Sequence, residues 1–152
     1  MGRGAAQALC SRMAGGFALH PRLQSDTAAV CDLALCTVRL MNDVRYPWLI
    51  LVPRRRDVRE VHRLSADDRR TLIDEIADVS AVLERVSGAH KMNIGALGNL
   101  VPQLHVHVIA RFEGDAAWPG PVWGAGAAVP YDGDAREALI AKLLTDGLRA
   151  LI

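Results

Sequence analysis

Residues 103–111 read Gln103-Leu104-His105-Val106-His107-Val108-Ile109-Ala110-Arg111. In an extended strand, side chains two positions apart lie on the same face, roughly 7 Å from one another. A strand over this stretch would therefore place Gln103, His105 and His107 on one face and apolar side chains on the other. A face that only met solvent would more usually carry threonine, lysine or glutamate. Two of the chain's five histidines in this register indicate chemistry.

Further strands are predicted on the amino-terminal side of this stretch. An apolar segment that is one bent strand or two strands ends at the turn residues Asn42-Asp43. After it, a continuous apolar run that begins at Trp48 is typical of a buried strand. The strands are predicted at residues 28–35, 36–41, 48–52, 91–96 and 104–110.

Two helices are also predicted. Apolar residues recur at three- and four-residue steps over residues 66–86, and Ser65 is a suitable N-cap. A last helix is predicted over residues 135–151, capped by Asp132 or Asp134, after a loop at 115–130. The order of strands, long helix, strands and helix predicts an α+β fold, a mostly antiparallel sheet with one long helix and a C-terminal helix.

The composition is that of one globular domain. The chain has 152 residues, of which 51% are hydrophobic and 23% charged, and its net charge is +1. This charge gives no reason to expect a nucleic-acid polymer or a membrane as partner. No apolar run reaches the roughly 18 to 20 residues that cross a bilayer. We therefore expect a domain over residues 17–152, preceded by a flexible extension at 1–16.

The cysteines point to a reducing compartment. The three cysteines, Cys10, Cys31 and Cys36, are odd in number and have no C-x-x-C spacing. Such cysteines are best interpreted as reduced thiols, which favours a cytoplasmic location.

Three interpretations of the two histidines are open from the residues alone. A strand H-x-H pair is a familiar zinc or iron ligand set, but it needs a third ligand, and the nearest acidic residue beyond the motif is Glu113. In a structural interpretation, both imidazoles bond to backbone and are inert. In the third interpretation, one of the two imidazoles is a catalytic nucleophile.

The stretch resembles the signature of the histidine triad (HIT) superfamily, His-φ-His-φ-His-φ-φ, where φ is apolar. Gln103 takes the place of the first histidine, and His105 and His107 match the second and third. The strand that ends in Pro53-Arg54, the long helix and Asn93 ahead of the motif also match. The resemblance covers about residues 17–111, and within the superfamily the chain looks most like bacterial hydrolases related to diadenosine polyphosphate hydrolases.

The resemblance implies a mechanism as well as a HIT-like fold. His105 would attack the α-phosphate of a nucleotide conjugate, giving a nucleotidyl-histidine that water resolves. A neutral imidazole can do this if one nitrogen is free and the other holds its proton on a backbone carbonyl. His107 would be a cationic donor to a phosphate oxygen or the leaving group. Gln103 would support the site without titrating.

Binding residues and partners are implied in the same way. Asn42 and Asp43 would contact the ribose, and Asn93 and Asn99 the phosphate and leaving group. Neither a metal nor another cofactor is expected. The expected partner is a small nucleotide substrate, and relatives are usually homodimers joined side by side. The alternatives are a metal-dependent hydrolase that uses His105 and His107 as ligands and a non-catalytic nucleotide-binding module.

Two apolar features have open roles. Leu33, Leu40 and Met41 suit either a purine slot or core packing. The stretch from Trp118 to Trp123 is too apolar for a plain linker. It suits either a specificity wall folded over the site or a contact with a partner subunit.

Overall fold

A computed structural model gives the structure of residues 16–152. The strands of this part of the chain are β1 (Thr27–Asp32), β2 (Cys36–Met41), β3 (Trp48–Pro53), β4 (Lys91–Gly95) and β5 (Val106–Arg111). The α-helices are α1 (Pro21–Asp26), α2 (Ala66–Ser87) and α3 (Gly133–Thr145), with short 3-10 turns at Val61–Arg63 and Leu148–Leu151.

The five strands form one sheet in the order β1-β2-β3-β5-β4, and every neighbouring pair is antiparallel. The predicted α+β fold with a mostly antiparallel sheet is confirmed. Ser65 caps α2 as predicted, since its Oγ accepts from the amide of Asp68 at 3.1 Å. Asp132, rather than Asp134, caps α3 by accepting from the amide of Ala135 at 2.7 Å.

Both faces of the sheet are covered. On one face, α2 and α3 pack against the strands and enclose the larger apolar cluster, which includes Val38, Leu51, Val108 and Leu83. On the opposite face, a smaller cluster is covered by α1 and loops; its buried members are Leu23, Tyr46, Trp48, Ile50, Val52, Val101, Ile109 and Val122. Every residue of β3 is buried, as expected for a central strand with two covered faces.

A buried carboxylate on α2 fixes the turn between the first two strands. Glu75 accepts from the amide of Leu35 at 2.7 Å and from that of Cys36 at 2.9 Å. Hydrogen bonds to a charged group each contribute about 1.5 to 3 kcal/mol. The long helix therefore holds the β1–β2 hairpin by polar contacts as well as by apolar packing.

Several predicted boundaries are wrong, and the contacts of the chain explain three of them. β1 ends at Asp32, because Leu33 turns and donates from its amide to the carbonyl of Cys36 at 2.8 Å. β5 begins at Val106 rather than at residue 104, because the Leu104 amide leaves the ladder and donates to the Val58 carbonyl at 2.9 Å. The last helix ends at Thr145, and the chain then passes so close to α2 that a Cβ at Gly147 would lie 2.7 Å from Val82.

Some expectations concern residues outside this structure. Apart from Gly16, the predicted extension at 1–16 lies outside the described residues, as does Cys10. Cys31 and Cys36 are free cysteines. Among residues 16–152, no helix combines the length and the apolar character needed to cross a membrane.

Candidate active site

A cavity of about 550 Å³ opens on the sheet face opposite the long helix. Its floor is formed by β3 and β5, and its walls are formed by α1, the loop at 97–101 and the loop at 122–128. Apolar side chains and a few polar groups face it together, as in most small-molecule sites. The lining includes Leu23, Met41, Asp43, Trp48, Ile50, Asn99, Val101, His105, His107 and Trp123.

His105 lies in the cavity wall, one residue before β5, with only 7% of its surface exposed. Its Nδ1 is 2.7 Å from the carbonyl oxygen of Gln103. A carbonyl can only accept, so Nδ1 carries the ring proton and Nε2 keeps its lone pair. No hydrogen bond to this Nε2 is found among residues 16–152. His105 thus has the free nitrogen and the fixed proton that a neutral nucleophile requires.

His107 has the opposite tautomer. Its Nδ1 is 3.0 Å from Nε1 of Trp48, and an indole N–H can only donate. The proton of the neutral ring is therefore on Nε2. Burial, together with the nearby His105, lowers the pKa of His107 from 6.5 to about 3. In the free protein His107 is therefore a neutral donor, and its expected cationic state beside a bound phosphate stays a prediction.

The two histidines are close enough to act on one group. Their ring centroids are 4.9 Å apart, with an interplanar angle of 69°. His105 offers an acceptor nitrogen and His107 offers an N–H donor, and both rings face the same cavity. This pair can attack an electrophile and donate a hydrogen bond to the charge that develops on it.

Acid is expected to destabilise the protein through His107. An unfolded histidine takes up a proton near pH 6.5, whereas folded His107 does so only near pH 3. Between these values the unfolded state binds more protons. The free energy of unfolding should therefore fall by up to about 1.4 kcal/mol per pH unit as the pH drops below about 6.5. Urea unfolding at pH 7, 6 and 5 measures this slope.

The matched control for this slope is His107→Gln. Glutamine does not titrate and keeps an acceptor for Trp48, so the variant should lose less stability than the wild type over the same pH range. Equal slopes in the two proteins would contradict the assigned protonation of His107.

Gln103 does not join the two histidines in one row. Because β5 begins only at Val106, the Gln103 carboxamide turns to the amino-terminal segment. It donates to the carbonyl of Ala18 and accepts from the amide of His20, both at 2.9 Å. It faces a second, smaller cavity of about 280 Å³. Within the site, Gln103 contributes the backbone carbonyl that holds His105.

Of the two residues expected to contact the ribose, Asp43 lines the cavity and Asn42 does not. Asp43 is buried and lines the cavity, and its carboxylate accepts from the side chain of Arg45 and from the amides of Arg45 and Val129. Burial acts to raise the pKa of Asp43, but these hydrogen bonds outweigh it and the pKa is lowered. Asn42 does not line the cavity, and its Oδ1 accepts from the amide of Tyr131 at 3.0 Å.

Of the two residues expected to contact the phosphate and leaving group, Asn99 lines the cavity and Asn93 does not. Asn99 is exposed and lies in the cavity wall at 97–101. Asn93 lies outside the cavity lining, and its Oδ1 accepts from the buried Arg111 at 2.7 Å. The same guanidinium donates to Asp115 at 2.7 and 3.0 Å and to the carbonyl of Gly120 at 2.9 Å. Asn93 is therefore part of a network that holds the loop after β5.

Two tryptophans, Trp48 and Trp123, complete the site. Of these, only Trp123 belongs to a segment for which the sequence predicts a possible site role. The ring centroids of Trp48 and Trp123 each lie 5.5 Å from that of His107. Trp123 packs so closely on Gly95 that a Cβ there would meet its ring at 2.9 Å. Only the end of the 118–123 stretch lines the cavity, through Val122 and Trp123, whereas Trp118 packs against His90 and Arg111. Trp48 looked only like core, because its contact with His107 depends on strand pairing.

The remaining apolar candidates divide between core and cavity. Leu33 and Leu40 pack in the cluster on the helix side of the sheet, so the proposed purine slot is wrong for them. Met41 lines the cavity. Among residues 16–152, no group of three or more His, Cys, Asp or Glu side chains is placed to hold a metal ion.

Comparison with known proteins identifies the family. The HIT domain model matches residues 22–114. A histidine triad (HIT) protein from Sinorhizobium meliloti 1021 is 50% identical, over 86% of this chain and 97% of that one, with a TM-score of 0.85. A histidine triad protein from Bradyrhizobium japonicum is 46% identical, with the same two coverages and a TM-score of 0.84.

A histidine triad protein from Marinobacter aquaeolei VT8 is 45% identical, over 91% of this chain and 100% of that one, with a TM-score of 0.87. The search of curated proteins gave no match. Since the family model spans more than half of the chain and the solved relatives share its fold at high identity, this chain belongs to the HIT domain family.

Proposed function

We propose that this protein hydrolyses or transfers the nucleotidyl group of a nucleotide conjugate through a covalent intermediate on His105. The observation that carries the proposal is the state of this imidazole, whose Nδ1 bonds to a carbonyl while Nε2 has no partner among the described residues. HIT domain proteins are generally nucleotide-binding hydrolases or transferases. That general activity matches a free ring nitrogen in a cavity of nucleotide-site dimensions.

In the first step, Nε2 of His105 attacks the α-phosphorus with its lone pair. The bond from phosphorus to the leaving group breaks, and its electron pair goes to the leaving group. The proton stays on Nδ1, where the Gln103 carbonyl stabilises the positive charge that develops on the ring. The Nε2–H of His107 donates to a phosphate oxygen or the leaving group as negative charge builds there.

In the second step, water attacks the phosphorus of the nucleotidyl-histidine. The phosphorus–nitrogen bond breaks and its electron pair returns to Nε2 of His105. One water proton is released, and the leaving group of the first step takes a proton from solvent. When an alcohol or amine attacks instead of water, the same step is a transfer.

The cavity offers separate surfaces to the rest of a nucleotide. Leu23, Ile50 and Met41 provide apolar contact for a base. Among its hydrogen bonds with the described residues, Asp43 accepts only one on Oδ2, from Arg45 at 2.7 Å. A carboxylate oxygen has roughly two acceptor sites, so Oδ2 can also accept from a ribose hydroxyl. We assign Asn99, which also lines the cavity, to the phosphate side.

The proposal also covers the class of leaving group and the oligomeric state. Dinucleoside polyphosphates, nucleoside phosphoramidates and adenylylated amines share the α-phosphate and ribose that this site would hold. The family resemblance implies a side-by-side homodimer, and β4 is an edge strand with Ile94 51% exposed. Light scattering should give twice the mass of one chain, and the mass of a single chain would contradict the dimer.

The test of function uses the purified protein with α-³²P-labelled diadenosine polyphosphate, adenosine phosphoramidate and an adenylylated amine. Rapid quenching in base should trap an acid-labile adduct on the peptide that contains His105, formed as fast as turnover. Activity in excess chelator should be unchanged. Loss of activity in chelator with recovery on adding zinc would favour the metal-dependent hydrolase. Nucleotide binding without turnover of any conjugate would favour the binding module.

A further inference from the structure

Trp48 is placed by strand pairing to reach the ring of His107. In the β3–β5 register, Ile50 pairs with His107 and Trp48 pairs with Ile109. Trp48 is therefore the diagonal neighbour of His107 on the cavity face, within reach of a long side chain. Its Nε1 is 3.0 Å from Nδ1 of His107, and both side chains are buried.

This hydrogen bond decides which nitrogen of His107 is protonated. A neutral imidazole has one N–H, and the indole N–H cannot accept. If the proton moved to Nδ1, two N–H groups would face each other in a buried place with no acceptor between them, which is unfavourable. The tautomer with the proton on Nε2 is therefore strongly favoured as long as Trp48 is present.

We propose that Trp48 is a positioning residue that holds His107 in the Nε2–H tautomer, so that His107 presents a donor rather than an acceptor to the substrate phosphate. The inference deepens the proposed function and rests on it for the identity of the substrate. It assigns Trp48 an effect on chemistry that passes through His107.

The two histidines owe their opposite tautomers to opposite partners. His105 bonds through Nδ1 to an acceptor, the Gln103 carbonyl, and His107 bonds through Nδ1 to a donor, Trp48. The first partner is backbone and survives any substitution of Gln103 that leaves the chain in place. The second partner is a single side-chain atom, which one substitution removes.

Trp123 offers a matched control. Its ring centroid lies 5.5 Å from that of His107, the same as for Trp48. However, its Nε1 is buried and has no hydrogen-bond partner among the described residues. Trp48→Phe and Trp123→Phe therefore remove the same atoms from two rings at the same distance from His107, but only the first removes a bond to it.

The charged surroundings of His107 are the same in both variants. Its titratable neighbour is His105 at 4.9 Å between ring centroids. The other charged groups that line the shared cavity are Arg22, Asp26, Asp43 and Arg45. None is replaced in either variant, so a difference between the two reports on the Trp48 bond.

The experiment is ¹⁵N NMR of the histidine rings in the full chain, from pH 5 to 8, for the wild type and both phenylalanine variants. In the wild type and in Trp123→Phe, His107 should show protonated Nε2 and unprotonated Nδ1 throughout. In Trp48→Phe, the loss of a bond worth about 0.5 to 1.5 kcal/mol should raise the share of the other tautomer by about 2- to 12-fold. The kcat should fall in proportion to the loss of the Nε2–H form, with a changed pH profile.

This readout separates the inference from the proposed function, because ring nitrogens report a tautomer whether or not a nucleotide turns over. An unchanged His107 spectrum in Trp48→Phe would overturn the inference even if the enzyme is active. The same spectral change in both variants would also overturn it, because general loosening of the aromatic packing would then be the cause. If the Trp48 variant unfolds, the wild type itself decides: a scalar coupling between the Trp48 Nε1 and His107 Nδ1 nitrogens across the hydrogen bond supports the inference, and a protonated Nδ1 of His107 overturns it.

Discussion

Replacing His105 by alanine should abolish the covalent adduct and lower nucleotide turnover by about 10⁴-fold or more, the scale on which loss of a nucleophile acts in other enzymes. His107 cannot take over the attack, because its Nε2 carries a proton and its Nδ1 is bonded to Trp48. Single-turnover kinetics with labelled conjugate would measure both effects. Nucleotide affinity should fall much less, since the other cavity walls stay in place.

His90→Ala is the control for this prediction. His90 is 55% exposed, pairs with Glu113 and does not line the cavity, so its loss should leave turnover near the wild-type value. Thermal melts should show that both alanine variants are folded. An adduct on another residue of His105→Ala, at the wild-type rate, would remove His105 from the mechanism.

Asp115→Ala should destabilise the fold by about 3 to 5 kcal/mol, the usual cost of removing one partner from a buried ion pair. The Asp115 and Arg111 side chains are only 4% and 1% exposed. The hydrogen bonds from the Arg111 side chain, in particular, lower the pKa of Asp115 to about 2. Without the carboxylate, the hydrogen bonds left to the buried guanidinium among the described residues are those to the oxygens of Asn93 and Gly120. Urea unfolding at pH 7 measures the loss.

The chain contains a matched surface pair for comparison. Arg22 and Asp26 are also an arginine and an aspartate four residues apart, but their side chains are 56% and 49% exposed. Asp26→Ala should cost at most about 1 kcal/mol, since water screens exposed pairs. Similar losses for the two variants would mean that burial does not govern the strength of the Arg111–Asp115 pair.

The sequence was sufficient to predict the fold class and the long helix because both depend on local patterns. Ser65 and the apolar steps after it specify α2 without reference to the rest of the chain. The run from Trp48 is apolar at every position because both of its faces are covered. The His105–His107 spacing likewise places two rings on one cavity, although the strand begins later than predicted.

The rest depended on contacts between distant residues. The Gln103 side-chain oxygen accepts from the amide of His20, 83 positions away, and the Trp48 indole donates to His107, 59 positions away. Neither contact can be predicted from the spacing of residue types along the sequence. Asn93 was expected at the phosphate, but Arg111 engages its oxygen, and the alternation of β5 shows that Arg111 shares a face with the histidines without showing what it binds.

The carboxamide of Gln103 has a practical consequence for work with this protein. It ties Ala18 and His20 to the very residue whose carbonyl orients the His105 ring. A version trimmed to begin at α1 would keep every residue of β5, yet it would lose both hydrogen bonds to the Gln103 side chain. Shortened versions should therefore begin well ahead of Ala18, and purification tags should be attached there, so that Ala18 and His20 can still bond to the Gln103 side chain.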